Sequence, residues 1–280
     1  MVRRSVNNSV IIVGCLICWI LAGGTLYAID QRVAVARAES DLRQVPPLEP
    51  PSPTAIKAAS LGFTRAAADV VWLSTIQYFG GGNPNERYSA LPALLRTIVS
   101  LDPDFEYPYL FGGLVLPWQN DARAALQLLD DGQARFPNNG LMPYYAGAIA
   151  RIQLNDNQRA AAYFQRAART PGAPPAATLL AGVSLTEADD RQVALAWWDG
   201  VVQTATDVTI RDRAIAWRDH LRLILYLEQL IQKEDGQTKP AITSLSDLVN
   251  RHILKDVPIS PLGLPLRYDA QSKRVELDRS

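Results

Sequence analysis

The chain has almost no sulfur chemistry to offer. Of its 280 residues only Cys15 and Cys18 are cysteines, both inside an apolar run near the start, so beyond residue 18 no disulfide, zinc ribbon or cysteine nucleophile can form. A thiol-free body suits an oxidising compartment. Histidine is as scarce: His220 and His252 are the only two, and no second histidine or cysteine stands three or four positions from either, so no metal or triad motif is recognisable around them. Charge excess is missing too, with 28 Lys plus Arg against 28 Asp plus Glu, which removes the electrostatic footprint of a nucleic-acid binder. The glycines at 80–82 are followed by no Lys-Ser/Thr pair and read as a break in the chain rather than a phosphate loop.

Acid pairs are present at Asp130-Asp131 and Asp189-Asp190. Adjacent residues on a helix point different ways, and 189-190 stands just before a helical stretch, where acids complement the amino-terminal dipole. The sequence calls for no cofactor, no metal and no catalytic residue.

What is abundant is apolar sequence, 48% of the chain, enough for one large core or an extended array of small ones. Its densest part is VIIVGCLICWILAGGTLYAI, residues 10–29, which carries no charge and as a helix would cover about 30 Å, the hydrocarbon thickness of a bilayer. Arg3 and Arg4 in the leading residues 1–9 predict a cytoplasmic amino terminus, with everything after Ile29 carried to the far, periplasmic or extracytoplasmic, side; Arg32 and Arg37 pull the other way. A cleaved leader would have a shorter apolar core and a small-x-small exit, whereas this run leaves through Leu26-Tyr27-Ala28-Ile29, which favours a retained anchor. A lipobox reading of Ile12-Val13-Gly14-Cys15 leaves only a few apolar residues before the cysteine and most of the run after it. Residues 30–53 then form a juxtamembrane helix and a linker: PPLEPPSP holds five prolines in eight residues, a semi-rigid extended spacer, so the folded domain is expected to start near Thr54.

From there a period governs. Pro103, Pro137 and Pro171 are 34 residues apart, as are Gly113 and Gly147, Ala160 and Ala194, and Phe164 and Trp198. Such a fixed interval marks stacked supersecondary units. Each unit splits into a first helix of small and apolar residues, as in LMPYYAGAIARI, and a second in which an alanine is followed one turn later by a leucine or aromatic. Proline then stops the helix, because its ring clashes with the preceding turn.

On these residues the chain resembles the tetratricopeptide repeat family. Gly113, Ala125, Leu129 and Pro137 match one repeat. Gly147, Ala160, Phe164, Ala167 and Pro171 match the next with a one-residue slip between its helices, and Gly182, Ala194 and Trp198 match a third that ends on Thr204-Ala205-Thr206 instead of proline. The resemblance implies an all-α fold, an α-solenoid of helix pairs over 54–235, and protein-protein binding rather than catalysis. Upstream, TAIKAASLGFTRAAADVVWLSTIQYF reads as one long helix, and YSALPALLRTIVSLDP as the second helix of a degenerate first repeat. Downstream, residues 208–232 carry a polar face of Arg211, Asp212, Arg218, Asp219 and Arg222 that suits a capping helix. Residues 236–280 hold a last helix and a proline-rich tail, a hairpin or an irregular end.

First helices of such repeats line a groove, so its walls are expected to be Tyr107, Leu110 and Leu114, then Tyr145 and Ile149, then Leu179 and Val183. The expected role is a membrane-anchored scaffold that recruits other proteins, subunits of a membrane or envelope complex. The alternatives are an acid-pair envelope hydrolase on a helical superhelix, or a structural homo-oligomer.

Overall fold

A computed structural model describes residues 52–81, 88–235 and 241–278, and the predicted membrane span at 10–29 lies outside them. The chain divides into two units, Met1–Pro50 and Pro51–Ser280, and every described residue falls in the second. No helix among the described residues is long and apolar enough to cross a membrane.

Among the described residues the fold is all-helical but for one hairpin. In order come α1 (Pro53–Ala59), α2 (Thr64–Gly81), α3 (Leu91–Leu101), α4 (Glu106–Val115) with a 3-10 turn at Leu116–Gln119, α5 (Ala122–Arg135), α6 (Leu141–Ile152) and α7 (Asn157–Ala168). They are followed by α8 (Ala176–Glu187), α9 (Arg191–Thr204), the long α10 (Val208–Asp235), α11 (Leu245–Asn250), β1 (Leu266–Asp269) and β2 (Arg274–Leu277). One sequence expectation fails here. The apolar stretch after Thr54 is two helices, because Leu61 and Gly62 adopt left-handed backbone (φ 48° and 94°) and end α1 before α2 begins.

The period of the sequence is a period of turns. Asn120, Asn155 and Asp189 all take left-handed φ, at 60°, 51° and 67°. Each is followed by an aspartate that caps the next helix: Asp121 accepts from the Ala124 N–H, Asp156 from Arg159 and Asp190 from Val193. Asn and Asp tolerate that conformation best among residues with a Cβ. Four positions after each cap, Ala125, Ala160 and Ala194 are fully buried, and four further on stand Leu129, Phe164 and Trp198. Replacing Asp156 with alanine is therefore expected to cost about 1 kcal/mol, read as a drop in denaturation midpoint with no change in helical content.

Glycine makes room for those large side chains. A Cβ on Gly113 would come within 2.6 Å of Leu129, one on Gly147 within 2.8 Å of the Phe164 ring, and one on Gly182 inside contact distance of the Trp198 ring. In each unit the first helix thus presents its backbone directly to the second, which fixes their close approach. The spacing from glycine to left-handed residue is 7, 8 and 7, so the extra residue of the middle unit is absorbed at the end of α6.

Bonds between units recur at an interval one residue shorter than the sequence period. Each helix packs mainly on its sequence neighbours, and α4 also touches α6 directly. The Tyr163 hydroxyl donates to Asp130 at 2.8 Å, Arg166 to Gln133 at 2.9 Å, Arg151 to the Ser184 hydroxyl at 3.2 Å, and Asn139 to Glu106, all 33 residues apart. The Gly140 N–H reaches the Pro171 carbonyl at 3.0 Å, joining successive loops. Two apolar clusters result, one built on α2 to α7 and one on α8 to α11 with the hairpin, meeting at α7 and α8.

The tail is an ordered hairpin: β1 and β2 pair antiparallel with Leu266 opposite Leu277 and Tyr268 opposite Val275. Val275 is fully buried against α10.

Candidate partner-binding surface

Of the seven residues expected along the groove, the structure leaves Tyr107 and Leu114 exposed on α4, two turns apart and so on one face. Leu110 and Tyr145 are half-buried against the first cluster, Leu179 and Val183 against the second. Ile149 is a correction. At 5% exposure it belongs to the core, since it stands two positions after Gly147, whereas Leu114 and Val183 stand one position after Gly113 and Gly182.

Two side chains that the groove assignment left out extend the ridge. Trp118, on the 3-10 turn that continues α4, is 85% exposed, and Ile152, at the end of α6, is 74% exposed. They stand 34 residues apart, at the same place in successive units, and that interval is legible in the sequence. Exposed tryptophan carries large apolar area with little conformational freedom to lose, the usual character of an interface anchor. Thr186 lies 34 residues further on, one position short of this place as counted from Gly182.

Thr186 is not open in the same way. It lines a cleft of about 700 Å³ together with Arg191, Trp217, His220, Arg274 and Leu277, formed where the α8–α9 turn, α10 and β2 come together. Its charges are tied to one another. Asp189 pairs with Arg191 at 3.3 Å and with Arg274; Arg191 pairs with Glu228; and Arg267 pairs with Glu276 at 3.4 Å. Glu228 also accepts the Val275 N–H at 2.8 Å, and Arg191 donates to the Val275 carbonyl at 3.5 Å. Both backbone groups of an edge-strand residue are thereby met by side chains of α9 and α10, which is what holds the hairpin down. An Arg191→Met variant strands Glu228 and the Val275 carbonyl, an expected loss of about 2 kcal/mol; limited trypsinolysis should then cut at Lys273 and Arg274 well before the helices.

His220 lies beneath this cleft, buried, with Nδ1 3.0 Å from the Ser260 hydroxyl and its ring edge-on to Trp217. Burial, and then the nearby Arg191 charge, pushes its pKa down to about 4, so it is neutral near pH 7. Ser260 also accepts the Leu262 N–H at 3.1 Å. The bond between His220 and Ser260 fastens the turn before β1 to α10.

The acid pairs are explained locally. Asp130 receives the Tyr163 hydroxyl while Asp131 faces solvent; Asp190 caps α9 while Asp189 holds the two arginines. Glu187 pairs with Arg151 at 2.7 Å. No group of three or more His, Cys, Asp or Glu able to hold a metal occurs among the described residues. His252 is exposed. No model of a known protein family matches the chain, and no curated protein does.

Proposed function

We propose that the protein is a membrane-anchored scaffold of tetratricopeptide type, an open solenoid of helix pairs that recruits or organises protein subunits of a membrane or envelope complex. Residues 10–29 anchor it, with the amino terminus cytoplasmic and the helical domain on the far side. The observation that carries the proposal is the apolar ridge of Tyr107, Leu114, Trp118 and Ile152. It runs across two successive units, at positions 34 residues apart for Trp118 and Ile152. The regular bonds at 33 residues support the stacking, and a net charge of zero supports protein rather than nucleic acid as the partner.

A photo-crosslinking amino acid placed at Trp118 or Ile152 of the full chain, in native membranes, tests this. A discrete protein adduct at both positions, lost when the other ridge residue is changed to aspartate, is the expected result. Adducts that form equally from Tyr226, exposed on α10, would contradict it.

A further inference from the structure

The two ends of the helical domain are unlike. At the C-terminal end, α10 carries Arg211, Asp212, Arg218, Asp219 and Arg222, with Arg218 and Arg222 bound to Asp199 of α9. At the N-terminal end, α2 turns one face inward, where Trp72 meets Phe105 and Phe111 edge-on at 5.6 and 5.3 Å and Phe79 meets Phe111 at 5.2 Å. Its opposite face is apolar and exposed. Phe63, just before the helix, is 75% exposed, Val70 63% and Leu73 62%, with Ile76 beside them. α2 follows only the short α1, and the outer helices of a repeat array normally present a polar face to solvent. This one does not.

Helical spacing puts Phe63, Ala66, Val70, Leu73, Gln77 and Gly80 on a single stripe, with Asp69 at its edge. A Cβ on Gly80 would meet nothing within 4 Å, so no packing inside the chain requires a glycine there. Alanine would serve the helix better at such a position.

We infer that this face pairs with its own counterpart on a second copy of the chain, α2 against α2 and antiparallel, about a two-fold axis between Val70 and Leu73. In that arrangement Val70 faces Leu73 in an apolar pair at the axis, Ala66 faces Gln77, and Phe63 faces Gly80, whose bare backbone admits the Phe63 ring. The stripe's centre carries no charge, so its apposition to itself brings no like charges together there. A bilayer surface fits less well, because interfacial helices are flanked by free Lys and Arg. Here the flank offers Asp69 and Arg65, and Arg65 is engaged by Asp102 and Asp104. The four large apolar side chains expose roughly 400 Å² per copy, an appreciable patch for a monomer. That is about half of the roughly 800 Å² per partner of a standard interface, so dimerisation is expected to depend on concentration.

Light scattering on the full chain in detergent tests the pairing. The wild type should pass from monomer to dimer with concentration, and a Val70→Asp/Leu73→Glu variant, changed only at exposed positions and checked for helicity by circular dichroism, should stay monomeric. With Cys15→Ser and Cys18→Ser removing the native thiols, Leu73→Cys should give a covalent dimer in oxidised membranes at least tenfold faster than Tyr226→Cys. A wild type monomeric throughout, a dimer that survives the double variant, equal crosslinking at the two positions, or a dye on Leu73→Cys that reports burial in lipid would each overturn the inference. The crosslinks from Trp118 and Ile152 are read separately, so loss of this dimer leaves the scaffold proposal standing, and the reverse.

Discussion

Changing Trp198 to alanine is expected to lower stability by about 3 to 5 kcal/mol, the range for deleting a fully buried large aromatic. Its ring has no solvent exposure and bridges from α9 to two other helices. It lies over Gly182 of α8, stacks on Trp217 of α10 at 5.9 Å with the planes 8° apart, and donates from Nε1 to the Thr186 hydroxyl at 3.4 Å. The cavity left behind cannot collapse easily, because α8 and α10 are both held elsewhere, α8 by the Arg151 bond to Ser184 and α10 by Arg191 and the hairpin. Urea denaturation followed by far-ultraviolet circular dichroism measures the loss. A shift worth less than about 1 kcal/mol would mean that the second helices of the units are not the keystones described here. The opposite change, Gly182→Val, forces methyl groups into the same ring and should destabilise through overpacking, by about 1 to 3 kcal/mol.

Acid should loosen the C-terminal end. His220 is buried neutral, with a pKa of about 4 in the folded chain against an ordinary histidine value of about 6.5 when unfolded. Because the folded value is depressed, the unfolded chain takes up the proton first. The contribution is fully present above about pH 6.5 and is lost as the pH falls towards 4, by about 3 kcal/mol in all. Two carboxylates add to acid sensitivity in a lower window. Asp247 is held below its ordinary range by the Thr243 and Ser244 N–H groups, and Asp269 by the Ser272 hydroxyl and the Gln271 N–H. Both contribute above the carboxylate range and lose that contribution below it. The measurement is stability from pH 7 to pH 4 in the wild type and in His220→Gln, whose amide can still hydrogen-bond Ser260. The variant should lose markedly less over that interval. Equal losses would mean that His220 is not the titrating group.

The sequence was most informative where contacts are local. Gly113, Gly147 and Gly182 and their partners Leu129, Phe164 and Trp198 lie within 17 residues of each other, so the interval alone revealed the pairing of helices. The turn signal was equally plain in Asn120-Asp121, Asn155-Asp156 and Asp189-Asp190, where a left-handed residue precedes a cap. The break at Leu61-Gly62 was hidden because apolar residues continue on both sides of it, and only the positive φ angles separate α1 from α2. Ile149 was placed one step out of phase, two positions after its glycine where Leu114 and Val183 follow theirs by one, and Trp118 sat beyond the end of the helix whose face it extends. The tail could not be read locally at all. Glu228 and Val275 are 47 residues apart and His220 and Ser260 are 40 apart, and nothing in either segment announces the other.

One distance measurement tests the stacked arrangement most directly. Arg123, Gln158 and Gln192 each stand three residues after a left-handed turn residue, in three successive units, and all are exposed. Spin labels can be placed at these positions in pairs, with Cys15 and Cys18 changed to serine. Pulsed electron resonance should then give a 123 to 192 separation close to twice that of 123 to 158 or 158 to 192. A separation no longer than either single step would mean that the helices close into a bundle, and the open binding face would be lost with the stack.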